Sequence, residues 1–220
     1  MAHTSQDLEA ARAFYTRLSS VYDALADRDE HRAREIGLGL LDASSGERIL
    51  EIGFGTGSSL VLLAARAGAS GRVCGVDISP GMKAVAEQRI RAANAAAAVD
   101  LRVAAIPPIP LADAEFDAAF MAFTLELFPD DTIPGVLAEV RRTLRPHGRL
   151  AAVSMSLGTE DQRRRMPERI YTWMHCHFPH IVDCRPIDVE RVLSEAGFAI
   201  SRVERLEIWG LPVSACLAST

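Results

Sequence analysis

The stretch Arg48-Ile49-Leu50-Glu51-Ile52-Gly53-Phe54-Gly55-Thr56-Gly57 constrains the fold more than any other part of the chain. An apolar run ends in a carboxylate, glycines follow at alternate positions, and from Ser58 an Ala/Leu-rich pattern with helical spacing runs through Leu60 to Ala67. A short apolar run closed by turn residues reads as a strand buried on both faces, as in parallel sheets. The glycines then make a tight turn into a helix. Glycine serves such a turn twice, because it reaches backbone angles that a side chain forbids and lets a ligand touch the main chain. The unpaired N–H groups at the helix start favour a negative group on that ligand.

Two cofactor classes use strand, glycine turn and helix in this way: dinucleotides and S-adenosyl-L-methionine. The dinucleotide fingerprint is G-x-G-x-x-G, and the residue that would be its third glycine is Ser58. The strict fingerprint therefore fails. Downstream, Val73-Cys74-Gly75-Val76-Asp77 is a second apolar strand ending in an acid, ~20 residues past the glycines, where a ribose-binding carboxylate stands in such folds.

The pattern Glu51-x-Gly53-x-Gly55-x-Gly57 followed by Asp77 resembles the first motifs of the class I S-adenosylmethionine-dependent methyltransferases. Phe14-Tyr15-Thr16-Arg17-Leu18-Ser19-Ser20-Val21-Tyr22-Asp23 is similar to the N-terminal segment of their ubiquinone/menaquinone-biosynthesis type. The resemblance implies an α/β fold: a Rossmann-like, doubly wound, mostly parallel seven-stranded sheet of order 3-2-1-4-5-7-6, strand 7 antiparallel, with N-terminal helices as a partial lid. It divides the chain into a helical lid over 1–41 and a cofactor-binding domain over 42–220, with a substrate-side insertion at about 156–187. It also implies a site. Glu51, Gly53, Gly55, Gly57, Asp77, Ile78, Met82, Ile106 and Met121 line the cofactor, S-adenosylhomocysteine is the product, and Tyr15 and Tyr22 close over the amino-acid end. Both tyrosines equally suit plain packing of helices onto the sheet.

One position departs from the family pattern. Counting back from Phe116-Asp117, the acid that accepts from the adenine amino group falls at Ala105. Losing one such bond costs ~0.5–3 kcal/mol, which a site survives if the Ile106 N–H and apolar packing hold the ring. Further along, Leu101 to Ala105 and Asp117 to Ala122 read as strands, and Asp131 to Leu144 as an amphipathic helix. Pro146 is expected to stop that helix and Gly148 to turn the chain into a fifth strand, Leu150 to Ser154. A capped helix over 188–197 and strands near Phe198–Leu206 and Leu211–Leu217 close the pattern.

Composition bounds the partners. The chain has 220 residues, 49% of them apolar, and a formal net charge of −5. One domain, or one with a cap, fits that length, and nucleic acid is a poor partner for an acidic chain. The cysteines Cys74, Cys176, Cys184 and Cys216 form no C-x-x-C pair and the N-terminus lacks a signal-peptide pattern, so a reducing cytoplasm is expected. No apolar run reaches the ~20 residues of a membrane span. Peripheral membrane contact stays open, as does the choice between monomer and homodimer.

The acceptor pocket is expected over Phe123 to Phe128, the N-terminal helices and the insertion from Gly158 to Ile187, because loops over a ligand edge select substrates. His175 and His177 in that insertion are the candidate bases, although histidines on amphipathic segments more often pack or face solvent. Their i, i+2 spacing suits no structural zinc site, and no metal is expected. Methyl transfer asks little of side chains, since the sulfonium already makes the methyl electrophilic. The expected function is methylation of a small-molecule or lipid-like acceptor at C, O or N without a metal. The alternatives are an NAD(P)-dependent oxidoreductase and a cofactor-binding protein without turnover.

Overall fold

A computed structural model describes residues 28–95, 98–157, 185–208 and 211–220, with Glu9 and Ala13 as isolated helical positions. Tyr15, Tyr22, His175 and His177 lie outside the described residues. In chain order the elements are α1 Arg28–Leu41, β1 Arg48–Ile52, α2 Ser58–Ala67, β2 Arg72–Asp77, α3 Pro80–Ala92, β3 Ala98–Val103, β4 Phe116–Ala122, a 3-10 turn Leu125–Leu127, α4 Ile133–Thr143, β5 Leu144–Met155, α5 Val189–Glu195, β6 Ala199–Ile208 and β7 Leu211–Ser219.

The strands form one seven-stranded sheet of order β3-β2-β1-β4-β5-β7-β6, the order that the resemblance implies. Pairings from β3 through β5 are parallel, and β7 runs antiparallel to both β5 and β6. Neighbouring residues of β1 and β4 feed opposite faces. Ile49, Ala118 and Phe120 join the core under α1, α2 and α3, whereas Leu50, Ile52, Ala119 and Met121 join the one under α4 and α5. That is why these strands read as apolar runs and not as alternations. Both clusters consist of fully or nearly fully buried aliphatic and aromatic side chains, and Phe120 at 0% exposure is among the largest.

Arg149 fastens α1 to the sheet. Its Nε donates to the Leu41 carbonyl at 2.7 Å, and its two terminal nitrogens each donate to the Glu47 carboxylate at 2.8 Å. The pairing holds Glu47 below the ordinary carboxylate range against the opposing effect of burial.

Three expectations are corrected. First, β3 ends at Val103, not at Ala105, because its register partner Asp77 is the last residue of β2. The Ala104 N–H still reaches the Asp77 carbonyl at 2.9 Å, and Ala105 is exposed beyond it. Second, α4 stops at Thr143, before Pro146, because Leu144 already pairs with Phe116 as the first residue of β5. Third, His147 makes the left-handed turn at φ +64°, not Gly148. Gly148 is needed for closeness instead: a Cβ there would lie 2.8 Å from the Arg145 carbonyl oxygen.

Candidate active site

In open α/β sheets the ligand crevice lies at the carboxyl ends of the strands, where the strand order reverses. Here that point is the edge shared by β1, β2 and β4, and the glycine loop leaves β1 into it. Gly53, Gly55 and Gly57 all have positive φ, at +70°, +52° and +82°. Two of them do different work. A Cβ on Gly53 would stand 2.3 Å from Thr124 Oγ1, so this glycine lets the turn after β4 press against the loop. A Cβ on Gly55 would meet nothing within 4 Å among the described residues. The main chain there is bare and open, the cradle that a ligand's tail requires.

Asp77 reaches back from the end of β2. Its Oδ2 accepts the Gly55 N–H at 2.9 Å, and its Oδ1 accepts the Ser79 N–H at 2.8 Å. Burial raises the carboxyl pKa, and the N–H groups of Ser79, Gly55 and Ile78 pull it back toward the ionised form. A carboxylate offers about four lone-pair directions, so both oxygens can still accept from a diol. Ser79 then caps α3, its Oγ accepting the Met82 N–H at 3.2 Å, with Pro80 as the first helical residue. From the far end of that helix Arg89 donates to Thr56 Oγ1 at 3.0 Å and to Ser58 Oγ. The glycine loop is thus held by Asp77 on one side and Arg89 on the other.

Glu51, the last-but-one residue of β1, is 3% exposed and its Oε2 has no hydrogen-bond partner among the described residues. Burial pushes its carboxyl up to about 8, against the Arg34 charge and the Ser59 hydroxyl that favour ionisation, with a further upward push from Asp77. An orphaned buried acceptor beside an open glycine cradle fits a ligand that brings its own donor, such as an ammonium group.

The other expected site residues scatter more. Ile78 and Ile106 are half-buried on the loops after β2 and β3, Met82 is 2% exposed in the core beneath α3, and Met121 is 1% exposed in the core beneath α4. Three functional candidates were not singled out from the sequence: Arg34, Arg89 and Glu126. Glu126 left a readable sign, a carboxylate inside the apolar run from Phe123 to Phe128. Arg34 and Arg89 left none, since an arginine on a helix reads as a solvated face.

At the head of the turn that carries Glu126, Phe123 adopts φ +53° while its N–H donates to the Val153 carbonyl at 2.8 Å. A non-glycine residue in that region marks backbone held by its surroundings, a frequent feature of functional edges.

A family profile described as a methyltransferase domain matches residues 49–148. A 2-phytyl-1,4-naphtoquinone methyltransferase from Trichormus variabilis is 32% identical over 157 residues, spanning 70% of this chain and 68% of the relative. This chain belongs to the class I S-adenosylmethionine-dependent methyltransferases. Solved methyltransferases share the fold at lower identity. An S-adenosylmethionine-dependent methyltransferase from Aquifex aeolicus superposes with a TM-score of 0.67 at 24% identity over 91% of this chain and 97% of that one. The 1,6-didemethyltoxoflavin-N1-methyltransferase of Burkholderia thailandensis, solved with S-adenosylhomocysteine, gives 0.68 at 17% identity over 100% of this chain and 92% of that one.

The methyltransferase is thus an enzyme, and S-adenosylmethionine is its methyl donor. The alternative of a nicotinamide-dependent oxidoreductase finds no support in these comparisons. No helix among the described residues is long and apolar enough to cross a membrane.

Proposed function

We propose that this methyltransferase methylates a reduced, quinol-type aromatic ring, with the donor held in the crevice between the glycine loop and Asp77. The single observation that supports this placement is the Gly55–Asp77 hydrogen bond, which sets an open stretch of main chain next to a half-buried carboxylate. The naphthoquinone methyltransferase named above supports the acceptor class.

S-adenosylmethionine supplies an electrophilic methyl carbon on a sulfonium sulfur. The chain's own residues do the rest. The open main chain of Gly53 to Gly57 and the Glu51 carboxylate take the amino-acid tail, and Asp77 takes the ribose hydroxyls. Ile78, Met82 and Ile106 pack the adenine, whose amino group finds no acid at Ala105. Met121, in the core beneath, holds the floor of β4. Tyr15 and Tyr22 close the amino-acid end. Of the lid expected over 1–41, α1 is packed into the core under the sheet, so the segment before it is the lid, and 156–187 is the substrate-side wall. Holding donor and acceptor in line while excluding water accounts for most of the rate gain in such a reaction.

Cys74 and Cys216 lie buried in the sheet core, where burial pushes their thiols up to about 11 and about 12. Their free, buried state suits a cytoplasmic enzyme. An acceptor with a lipid-like tail would bring the enzyme to a membrane surface as a monomer or homodimer.

The test is transfer of labelled methyl from S-adenosylmethionine to quinol, phenol, amine and phospholipid acceptors. Labelling of the quinol above the others is expected. Label on the amine or phospholipid alone would replace the acceptor class, and donor binding without any labelling would favour a protein that binds without turnover.

A further inference from the structure

Glu126 is a buried carboxylate for which the donor site has no use. It lies in the 3-10 turn Leu125–Leu127, two residues past the Thr124 side chain that presses on Gly53, and is 0% exposed. Its Oε1 accepts the Met155 N–H from the end of β5 at 3.0 Å. Its Oε2 is buried without a hydrogen-bond partner among the described residues.

A structural explanation accounts for only half of this side chain. Receiving the Met155 N–H needs one carbonyl-type oxygen, which a neutral glutamine would supply without burying an ionisable group. The second oxygen adds a desolvation penalty of ~1–3 kcal/mol or more and returns nothing to the fold. Among the described residues no cation offsets its charge: the charged group that acts on it is the Glu30 carboxylate of α1, a repulsive one, while its own N–H, the Met155 N–H and the Ser154 hydroxyl favour the ionised form by hydrogen bonding. An acid left half-satisfied at the substrate edge of the sheet, next to the glycine loop, has a free acceptor for something that brings a proton.

We propose that Glu126 is the catalytic base, its Oε2 taking the proton of a phenolic hydroxyl on the acceptor ring. This rests on the quinol reading above. The hydroxyl gives its proton to Oε2, and the pair left on oxygen is delocalised to the neighbouring ring carbon. That carbon forms the new bond to the methyl carbon while the sulfonium sulfur keeps the pair of the bond that breaks. The ring carbon then loses its own hydrogen as a proton to water, and the carbonyl oxygen takes back the proton held by Glu126. The ring is aromatic again, the carboxylate is restored, and one proton is released per turnover. Burial, with a smaller push from Glu30, raises the Glu126 carboxyl to about 7, the range in which a carboxylate removes and returns protons efficiently near neutral pH.

Glu126→Gln tests this on the full chain, since the amide keeps an oxygen for the Met155 N–H. The probe is the quinol of a 2-prenyl-1,4-naphthoquinone, kept reduced. We expect kcat to fall ~100-fold or more, S-adenosylhomocysteine affinity to stay within about twofold, and the acid limb of the kcat–pH profile to disappear. Glu126→Asp, which keeps a carboxylate, retains that limb at a lower kcat. A glutamine variant within about threefold of the parent, or one with the same pH profile, overturns the proposal.

A second readout does not depend on turnover. Infrared difference spectra are taken as the quinol is added to the S-adenosylhomocysteine complex. A protonated-carboxyl band should appear in the parent and not in Glu126→Gln; no band in the parent, or the same band in both, overturns the proposal. Failure of the quinol reading shows separately, as absence of label transfer by the parent enzyme.

Discussion

The Gly55 N–H and the Asp77 Oδ2 stand 2.9 Å apart, so the acid proposed to hold the donor's ribose is also the tie that shapes the loop proposed to hold its amino-acid tail. The two halves of the crevice are therefore one unit. Replacing Asp77 by Ala removes charged hydrogen bonds worth ~1.5–3 kcal/mol and weakens S-adenosylhomocysteine binding at least ~10-fold. Isothermal calorimetry on a folded variant measures it. An unchanged dissociation constant would remove Asp77 from the site.

Gly53 and Gly55 should fail in opposite ways. In Gly53→Ala the new methyl meets Thr124 Oγ1 at 2.3 Å with φ at +70°, so stability drops by ~1–3 kcal/mol or more. Adding Thr124→Gly restores part of it in a double-mutant cycle. In Gly55→Ala the methyl meets open space, so the loss of stability is the smaller, left-handed-backbone cost, and donor affinity carries the larger effect. Urea unfolding and calorimetry on both variants read the difference. Equal effects on both quantities would contradict the assignment of Gly55 to the cradle.

Arg89→Ala should loosen the loop from the side opposite Asp77, since it deletes the bonds to Thr56 and Ser58. A three- to tenfold rise in the donor's dissociation constant, about 0.7–1.4 kcal/mol, is expected with little change in fold. Circular dichroism and calorimetry together check it.

Stability of the ligand-free enzyme should fall as pH rises. Glu51 and Glu126 have ordinary values of 4.5 and are raised in the fold to about 8 and about 7. Between those limits the folded state holds protons that the unfolded chain has released. Unfolding free energy therefore declines with pH by up to ~1.4 kcal/mol per unit for each group, starting near pH 4.5 and levelling off above about 8. Urea midpoints taken from about pH 5.5 to about pH 8.5 measure the slope. Glu51→Gln with Glu126→Gln should flatten it, and an unchanged slope in the double variant would show that the decline comes from elsewhere.

Much of this was legible in the sequence because it follows from backbone demands. A strand buried on both faces needs an unbroken apolar run such as Ile49 to Ile52, and a left-handed loop needs glycine at 53, 55 and 57. The sheet order came from the family resemblance that those residues carry. What stayed hidden depends on three-dimensional pairing. Arg89 lies 33 residues from Thr56 in the chain, and no spacing rule joins a helix arginine to a loop hydroxyl. The end of β3 was misplaced because it is set by where β2 stops, not by the sequence of β3. Gly148 is the residue expected to turn the chain, yet His147 beside it adopts the left-handed turn. Glu126 was passed over because it stands among Leu125, Leu127 and Phe128, where an acid reads as an interruption. Its isolation there is the property that matters.

A crystal of the enzyme soaked with S-adenosylhomocysteine tests the central claim most directly. The account predicts density for the ligand with its sugar hydroxyls on the Asp77 carboxylate and its amino-acid tail along the main chain of Gly53 to Gly57. Ligand bound elsewhere, or an intact crevice that stays empty at saturating concentration, would contradict it.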